Sequence, residues 1–320
     1  MIRVATIGTS TITHRFADAV RAVDGIAVTH ACSRDPQRAA ETADALGVTP
    51  ATDLAALLAA DSGADIDAVY VASPNTVHHN QVRQVVRAGK HVLVEKPAVP
   101  TVAEWDELVA RAADAGVVLI EAMRTAYDPG LAAVHEMLPR LGPIRRVSLR
   151  YGKRSSRYDQ VLAGEQVNIF DPAMAGGALM DLGVYCVHAM VRLFGTPERV
   201  AGASIPVRSG ADGAGTALAV YDGFVADLSW SKITDSDLPS EIQGEHGTLL
   251  IDAIDSARAL TVRFTDGRSE QRTVDGPANS MVGEVRRFAH LIATGDDPTT
   301  DQQATRTTLQ LVAAITGSRW

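Results

Sequence analysis

From Ile2 to Ile120 the chain alternates short β-branched runs with amphipathic stretches, and this alternation restricts the fold more than any other feature. Ile2 to Ile7, Ile26 to Cys32, Val48 to Ala51, Ile66 to Ala72, His91 to Val94 and Val117 to Ile120 read as strands. Between them, Phe16, Ala19, Val20 and Val23 mark one helix face, and Pro36–Leu46, Asp53–Ala60 and Val77–Ala88 read as further helices. Asp35 before Pro36 is an N-cap followed by proline at the first helical position. Thr101 with Glu104 forms a capping box ahead of another helix. Parallel neighbours need a crossover, so this alternation predicts an α/β domain with a doubly wound parallel sheet over residues 1–122.

The periodicity changes near residue 125. Helix Pro129–Leu141 is followed by strand-like stretches at Ile144–Tyr151, Val200–Val207, Ala217–Tyr221, Phe224–Trp230, Ser240–Gly244, Thr248–Asp252, Ala259–Phe264 and Gln271–Val274. Asp222-Gly223, His246-Gly247 and Asp266-Gly267 supply hairpin turns. Helices near Met281–Ala293 and Gln302–Gly317 close the chain. The expectation is an α+β domain over residues 123–320 with a large open antiparallel sheet. Such a sheet has a face to cover, so a homodimer or homotetramer through it is expected. A monomeric mass by light scattering would sink that expectation.

Hydrophobic residues make up 46% of the 320, enough for substantial cores, and the net charge is −8. With no basic run, nucleic acid is not an expected partner. Cys32 and Cys186 lie in separate apolar segments and imply neither a disulfide framework nor a metal spacing. No stretch reads as the ~20 apolar residues of a membrane span, and Met1 to Gly8 reads as a strand and not a signal peptide. A cytoplasmic protein without membrane partners is expected.

The chemistry-bearing residues gather where the strands of the first domain end. Gly8-Thr9-Ser10-Thr11-Ile12 turns the first strand into a helix, with Ser10 and Thr13 where a G-x-G-x-x-G fingerprint has its second and third glycines. Small residues there let a pyrophosphate approach the helix amino end. The second strand ends in Ser33-Arg34, with Arg38 one turn on, and this arrangement suits a ribose 2′-phosphate better than a free 2′-hydroxyl. NADP is therefore the preferred cofactor, with NAD as the alternative. Ser73-Pro74-Asn75 and His78 follow the fourth strand, and Glu95-Lys96-Pro97 follows the fifth. In the second domain, Gly176-Gly177 precedes Asp181, Tyr185 and His188, which fall on one face of a helix at i, i+4 and i+7. Taken alone, these three also read as a helix cap, a core tyrosine and a plain helix histidine.

Together, the Gly8 turn, Ser73-Pro74-Asn75-Thr76-Val77-His78, the run Ala88 to Pro97 ending in Glu95-Lys96-Pro97, and Gly176-Gly177-Ala178-Leu179-Met180-Asp181-Leu182-Gly183-Val184-Tyr185 resemble the Gfo/Idh/MocA oxidoreductases over essentially the whole chain. The resemblance implies a Rossmann domain, NAD or NADP, no metal, and a carbohydrate-like small-molecule substrate: a sugar, polyol, diol or related carbonyl. It implies Lys96, Tyr185 and Asp181 as catalytic residues. A tyrosine at position 185, where many members carry histidine, resembles the subset with glucose-fructose oxidoreductase and dimeric dihydrodiol dehydrogenase, as does Phe170-Asp171-Pro172. On this expectation Tyr185 moves the proton, assisted by Lys96, while Asp181, Arg124 and His188 contact substrate. Gly8, Thr9, Ser10, Thr11, Ile12, Ser33, Arg34, Arg38, Ser73, Pro74, Asn75, His78, Glu95 and Lys96 contact the cofactor. The chain departs from the family pattern in its two missing glycines and in Ala126, which precedes Tyr127-Asp128-Pro129 where an arginine is usual. A non-catalytic cofactor-binding sensor and a ketoreductase of a nucleotide-linked sugar are the rival readings. The latter would use the basic loop residues Lys153, Arg154 and Arg157.

Overall fold

In the computed structural model, residues 1–59 and 65–317 are described. The first part runs β1 (Ile2–Ile7), α1 (Thr11–Arg21), β2 (Ile26–Cys32), α2 (Pro36–Leu46), β3 (Thr49–Ala51), α3 (Leu54–Leu58), β4 (Ala68–Val71), α4 (Asn75–Arg87), β5 (His91–Glu95), α5 (Val102–Asp114) and β6 (Leu119–Ala122). The six strands are parallel in the order β3-β2-β1-β4-β5-β6. The order reverses between β1 and β4, the place where doubly wound sheets bind ligands beyond their carboxyl ends. All four residues of β4 are buried, as expected of a strand with both faces covered. Asp35 accepts from Gln37 N and Arg38 N, and Thr101 and Glu104 exchange both capping-box bonds. The expected helix end at Ala60 lies outside the described residues. Strand β6 starts two residues later than expected, because Val118 N donates to the His91 ring instead of joining a ladder.

The second part runs α6 (Pro129–Met137), β7 (Ile144–Gly152), α7 (Tyr158–Leu162), a π-helical turn (Leu179–Gly183) leading into α8 (Val184–Phe194), then β8 (Arg199–Pro206), β9 (Asp212–Tyr221), β10 (Phe224–Ser231), β11 (Ser240–Gly244), β12 (Gly247–Ile251), β13 (Ala259–Phe264) and β14 (Ser269–Thr273). The eight-stranded sheet has the order β14-β13-β12-β11-β7-β10-β9-β8. It is antiparallel except where β10 pairs parallel with β7. Alternation sets its faces: Ala226, Leu228 and Trp230 of β10 join a core with Leu182, Cys186 and Met190, while Ile205, Leu218 and Val225 are exposed. The run Pro172–Phe194 has the length and hydropathy of a membrane span, contrary to the expectation that no stretch does. However, 72% of its apolar window is buried inside the fold, as in a core helix.

The chain ends with α9 (Val282–Thr294) and α10 (Thr299–Gly317). Two compact units result: residues 1–124 with 277–306, and residues 125–276 with 307 onward. The second domain therefore does not run unbroken from 123 to 320. The reason is apolar burial: Val282, Val285, Phe288 and Leu291 of α9 share a core with Phe16, Ala19, Val20 and Ile120. Two bonds fasten the start of α10 to the same unit, Trp105 Nε1 donating to Gln302 O and Gln302 Nε2 donating to Leu119 O, each at 3.0 Å.

Candidate functional site

The turn after β1 is built on Gly8. Its φ is +125°, and a Cβ there would lie 2.4 Å from the Ala72 carbonyl oxygen, so only glycine fits. Thr11 opens α1 behind an N-cap, Ser10, whose side chain makes no capping bond, and the first turn holds no acid. Its amide groups and dipole suit an anion such as a pyrophosphate, with Thr9 and Ile12 flanking. Thr13 is buried, and its hydroxyl has no hydrogen-bond partner.

Beyond β2, Ser33 Oγ accepts from Asp35 N at 3.3 Å. Asp35, the acid that could meet a free ribose hydroxyl, is occupied as the α2 cap and in a 3.7 Å ion pair with Arg38. Arg38 stays exposed beside this cap. Arg34 is exposed and has no ion pair among the described residues. The residues present fit a 2′-phosphate better than a 2′-hydroxyl.

Behind the strand ends lies a polar brace. Ser73 Oγ donates to Gln81 Oε1 at 2.5 Å, and Pro74 occupies the N-cap position of α4, which begins at Asn75, without a side-chain cap. His78 is fully buried: Nε2 faces Ser73 O at 2.8 Å, and Nδ1 faces Pro97 O and Ala98 O at 3.1 and 3.2 Å. It ties the loop after β4 to the loop after β5, and so does not line the cofactor site as expected. Burial lowers its pKa against the pull of the three carbonyls.

Lys96 follows Glu95, which accepts from Tyr70 Oη at 2.5 Å and from Lys96 N at 3.2 Å. Burial raises the Glu95 carboxyl, opposed by Tyr70 and Lys96. Two further acids, absent from the sequence reading, stand in the same unit. Glu121 accepts from Ala98 N at 2.9 Å and Thr305 Oγ1 at 3.1 Å, and burial pushes its pKa up to about 7. Glu284 is buried, and neither carboxyl oxygen has a hydrogen-bond partner. Burial and then Glu95 push its carboxyl well above the usual range, opposed by Arg124 and Arg15. Arg124 donates to Ser280 Oγ at 3.2 Å, on this buried acidic side of the unit. The available signal was an acid inside an apolar strand and another inside an apolar helix face.

In the second unit, Gly177 has φ +138°, and a Cβ there would lie 2.0 Å from Asp212 Oδ1. That close approach lets Asp212 reach the start of the helix, where Oδ2 accepts from Leu179 N at 2.7 Å and Trp230 Nε1 at 3.1 Å. Asp181 sits in the π-helical turn, and Tyr185 in the first turn of α8. The expected continuous α-helical face is therefore interrupted by a wider turn. Gly183 belongs to it, and a Cβ there would come within 2.9 Å of the Trp230 ring. Such turns recur at functional sites. Tyr185 is buried, its ring 5.7 Å from that of Tyr151. Asp181 is ion-paired with Lys232, another residue the sequence reading did not single out. His188 is buried with Nδ1 unpartnered, and burial followed by Arg192 lowers its pKa to about 3. It stays neutral at ordinary pH and cannot serve as an imidazolium. In the basic loop, Arg154 pairs with Asp159 at 2.7 Å and lies over the Tyr158 ring.

Comparisons with known proteins agree with this architecture. A family model described as an oxidoreductase family with an NAD-binding Rossmann fold matches residues 2–123, and the Gfo/Idh/MocA C-terminal domain matches residues 133–250. The scyllo-inositol 2-dehydrogenase (NADP+) of Bacillus subtilis is 41% identical over 293 residues, covering 91% of this chain and 88% of that protein. The trans-1,2-dihydrobenzene-1,2-diol dehydrogenase of Oryctolagus cuniculus is 34% identical over 197 residues, covering 60% and 57%. A 3-ketoreductase from Actinomadura kijaniata, solved in complex with TDP-benzene and NADP, superposes with a TM-score of 0.86 at 26% identity, covering 99% of this chain and 97% of that one. With both of its characteristic domains matched, the chain belongs to the Gfo/Idh/MocA oxidoreductase family.

Proposed function

We propose that the protein is an NADP-dependent oxidoreductase acting on a CH–OH group of a sugar, polyol or diol, or on the corresponding carbonyl. When bound, the nicotinamide supplies or accepts the hydride at C4. The protein's own residues bind, orient and move one proton. Ser10, Thr11 and the α1 amides hold the pyrophosphate, and Arg34 with Ser33 holds the 2′-phosphate. Lys96 binds at the nicotinamide ribose or the substrate oxygen and assists the proton transfer. Tyr185 gives the proton to, or takes it from, the substrate oxygen. Asp181 accepts from a substrate hydroxyl.

The observation that carries this reading is the Asp181–Tyr185 turn, anchored by Asp212, in a chain that also keeps Lys96 after β5. The commitment of Asp35 to capping supports NADP. The NADP-dependent inositol dehydrogenase among the relatives supports both the cofactor and a polyhydroxylated substrate. A nucleotide-linked sugar is less well supported, because Arg154 of the basic loop is already neutralised by Asp159.

Titration of the purified protein with NADPH and NADH, followed by nicotinamide fluorescence and then by turnover on inositols, aldoses and diols, tests the reading. Tighter NADPH binding and NADP+ reduction with one of these alcohols are expected. Cofactor binding without turnover on the alcohols or their carbonyls would leave a sensor. Turnover confined to a nucleotide-linked ketosugar would move the substrate to that class.

A further inference from the structure

Lys232 follows β10 directly, and its backbone is fixed on both sides. Its N–H donates to Gly213 O at 2.8 Å, and its carbonyl accepts from Ser155 N at 2.8 Å. The side chain is 5% exposed. Its Nζ pairs with Asp181 Oδ2 and lies 5.8 Å from the centre of the Phe170 ring. Phe170 is itself buried in an apolar cluster with Val161, Val167 and Ala211. The ammonium thus has an aromatic ring and a carboxylate as partners, and a buried ammonium is costly without such partners.

The two ends of the pair differ. The cation is enclosed, whereas the Asp181 side chain is 27% exposed. Trp230, on the same strand as the residue preceding Lys232, meets the π-helical turn at Gly183 and shares Asp212 with Leu179. The turn bearing Asp181 and the strand end bearing Lys232 are therefore held in one frame, and the carboxylate has little freedom to swing. An ionised carboxylate only accepts hydrogen bonds, so what it recognises is a donor.

We propose that Lys232 is the positioning residue for Asp181, and that the pair reads a second hydroxyl on the substrate, so that the site selects polyhydroxylated alcohols and vicinal diols over simple alcohols. The proposal deepens the functional reading above and rests on it. Lys232 does not touch the reacting carbon. It holds the acceptor that does the selecting, so its loss weakens substrate binding more than it slows the chemical step.

The test compares an inositol or cyclohexane-1,2-diol with cyclohexanol, using NADP+ and the full-length wild-type, Lys232→Met and Lys232→Arg proteins. For the polyhydroxylated substrate, Lys232→Met should raise KM about tenfold while kcat changes within about twofold. Lys232→Arg should restore most of the loss. For cyclohexanol, followed as substrate or as competitive inhibitor, the same variants should leave KM or the inhibition constant unchanged. Equal losses for both alcohols, an unchanged polyol KM, or a fall confined to kcat would overturn the proposal. If Lys232→Met does not fold, Lys232→Gln, which keeps a donor without the charge, is scored in the same way. A wild-type protein that turns over neither polyhydroxylated alcohols nor their carbonyls overturns the functional reading, and this proposal with it.

Discussion

Asp128 and Asp181 of the second unit and Glu121 and Glu284 of the first meet their surroundings in different ways. In the second unit, Asp128 accepts both arms of the Arg258 guanidinium at 2.7 and 2.8 Å, and Asp181 is paired with Lys232. Each stands beside a cation. In the first unit, Glu121 receives only an amide and a hydroxyl among its hydrogen bonds, and Glu284 receives none. Burial without a cation disfavours the charged form and raises both carboxyls. Asp181 is thus held beside a cation, whereas burial raises the Glu121 and Glu284 carboxyls in the unit that carries Lys96.

Removing Lys96 tests this contrast most severely. Lys96→Ala should lower turnover about a thousandfold, the loss expected of a group that assists proton transfer, while the melting temperature changes little. Near-normal turnover in that variant would take the lysine out of the mechanism and leave the second unit as the sole carrier of the chemistry.

The buried acids give the next effect, on stability. The Glu121 carboxyl rises from its ordinary 4.5 to about 7 on folding. A raised carboxyl contributes stability that is fully present below pH 4.5 and is lost as the pH climbs through 7. The shift corresponds to about 3 kcal/mol when complete. Glu121→Gln keeps an acceptor for Ala98 N and a donor for Thr305 Oγ1 but cannot ionise. Its denaturation midpoint, measured at pH 5 and pH 8, should fall less with rising pH than that of the wild type. Identical slopes would mean that Glu121 stays charged in the folded protein, and its contrast with the cation-paired Asp128 and Asp181 would fail.

Legibility in the sequence follows contact range. The six-stranded unit was readable because its signals are local: Gly8 at a strand end, Asp35 before Pro36, Thr101 three residues before Glu104. The hairpins of the second unit were readable for the same reason. Lys232 was not, since 51 residues separate it from Asp181 and nothing local marks it. Nor was the return of α9 to the first unit, because an amphipathic helix does not state which core takes its face. The π-helical turn was hidden in another way: a four-residue spacing between Asp181 and Tyr185 suits an ordinary helix, and only the close packing of Gly183 on Trp230 reveals the wider turn. His78 was misread because the loop of a binding strand end looks the same in sequence whether a residue faces ligand or braces the backbone behind it.

The smallest effect expected is at Arg34, and it separates cofactor choice from chemistry. Asp35 is bound to the α2 amides and to Arg38, so the second strand end offers an exposed guanidinium and the Ser33 hydroxyl. A guanidinium meets a phosphate with two parallel donors, whereas a ribose hydroxyl gains little from it. Arg34→Ala should weaken NADPH about tenfold, the worth of one charge-assisted contact at an exposed site, and should leave NADH nearly unchanged. Turnover at saturating cofactor should stay at the wild-type level, because on the reading proposed above Arg34 meets the adenosine end and contributes only uniform binding. Equal weakening of both cofactors would mean that Arg34 supports the turn itself. No weakening of either would transfer the 2′-phosphate to Ser33 and Arg38, and would require Arg38 to leave Asp35 when the cofactor binds.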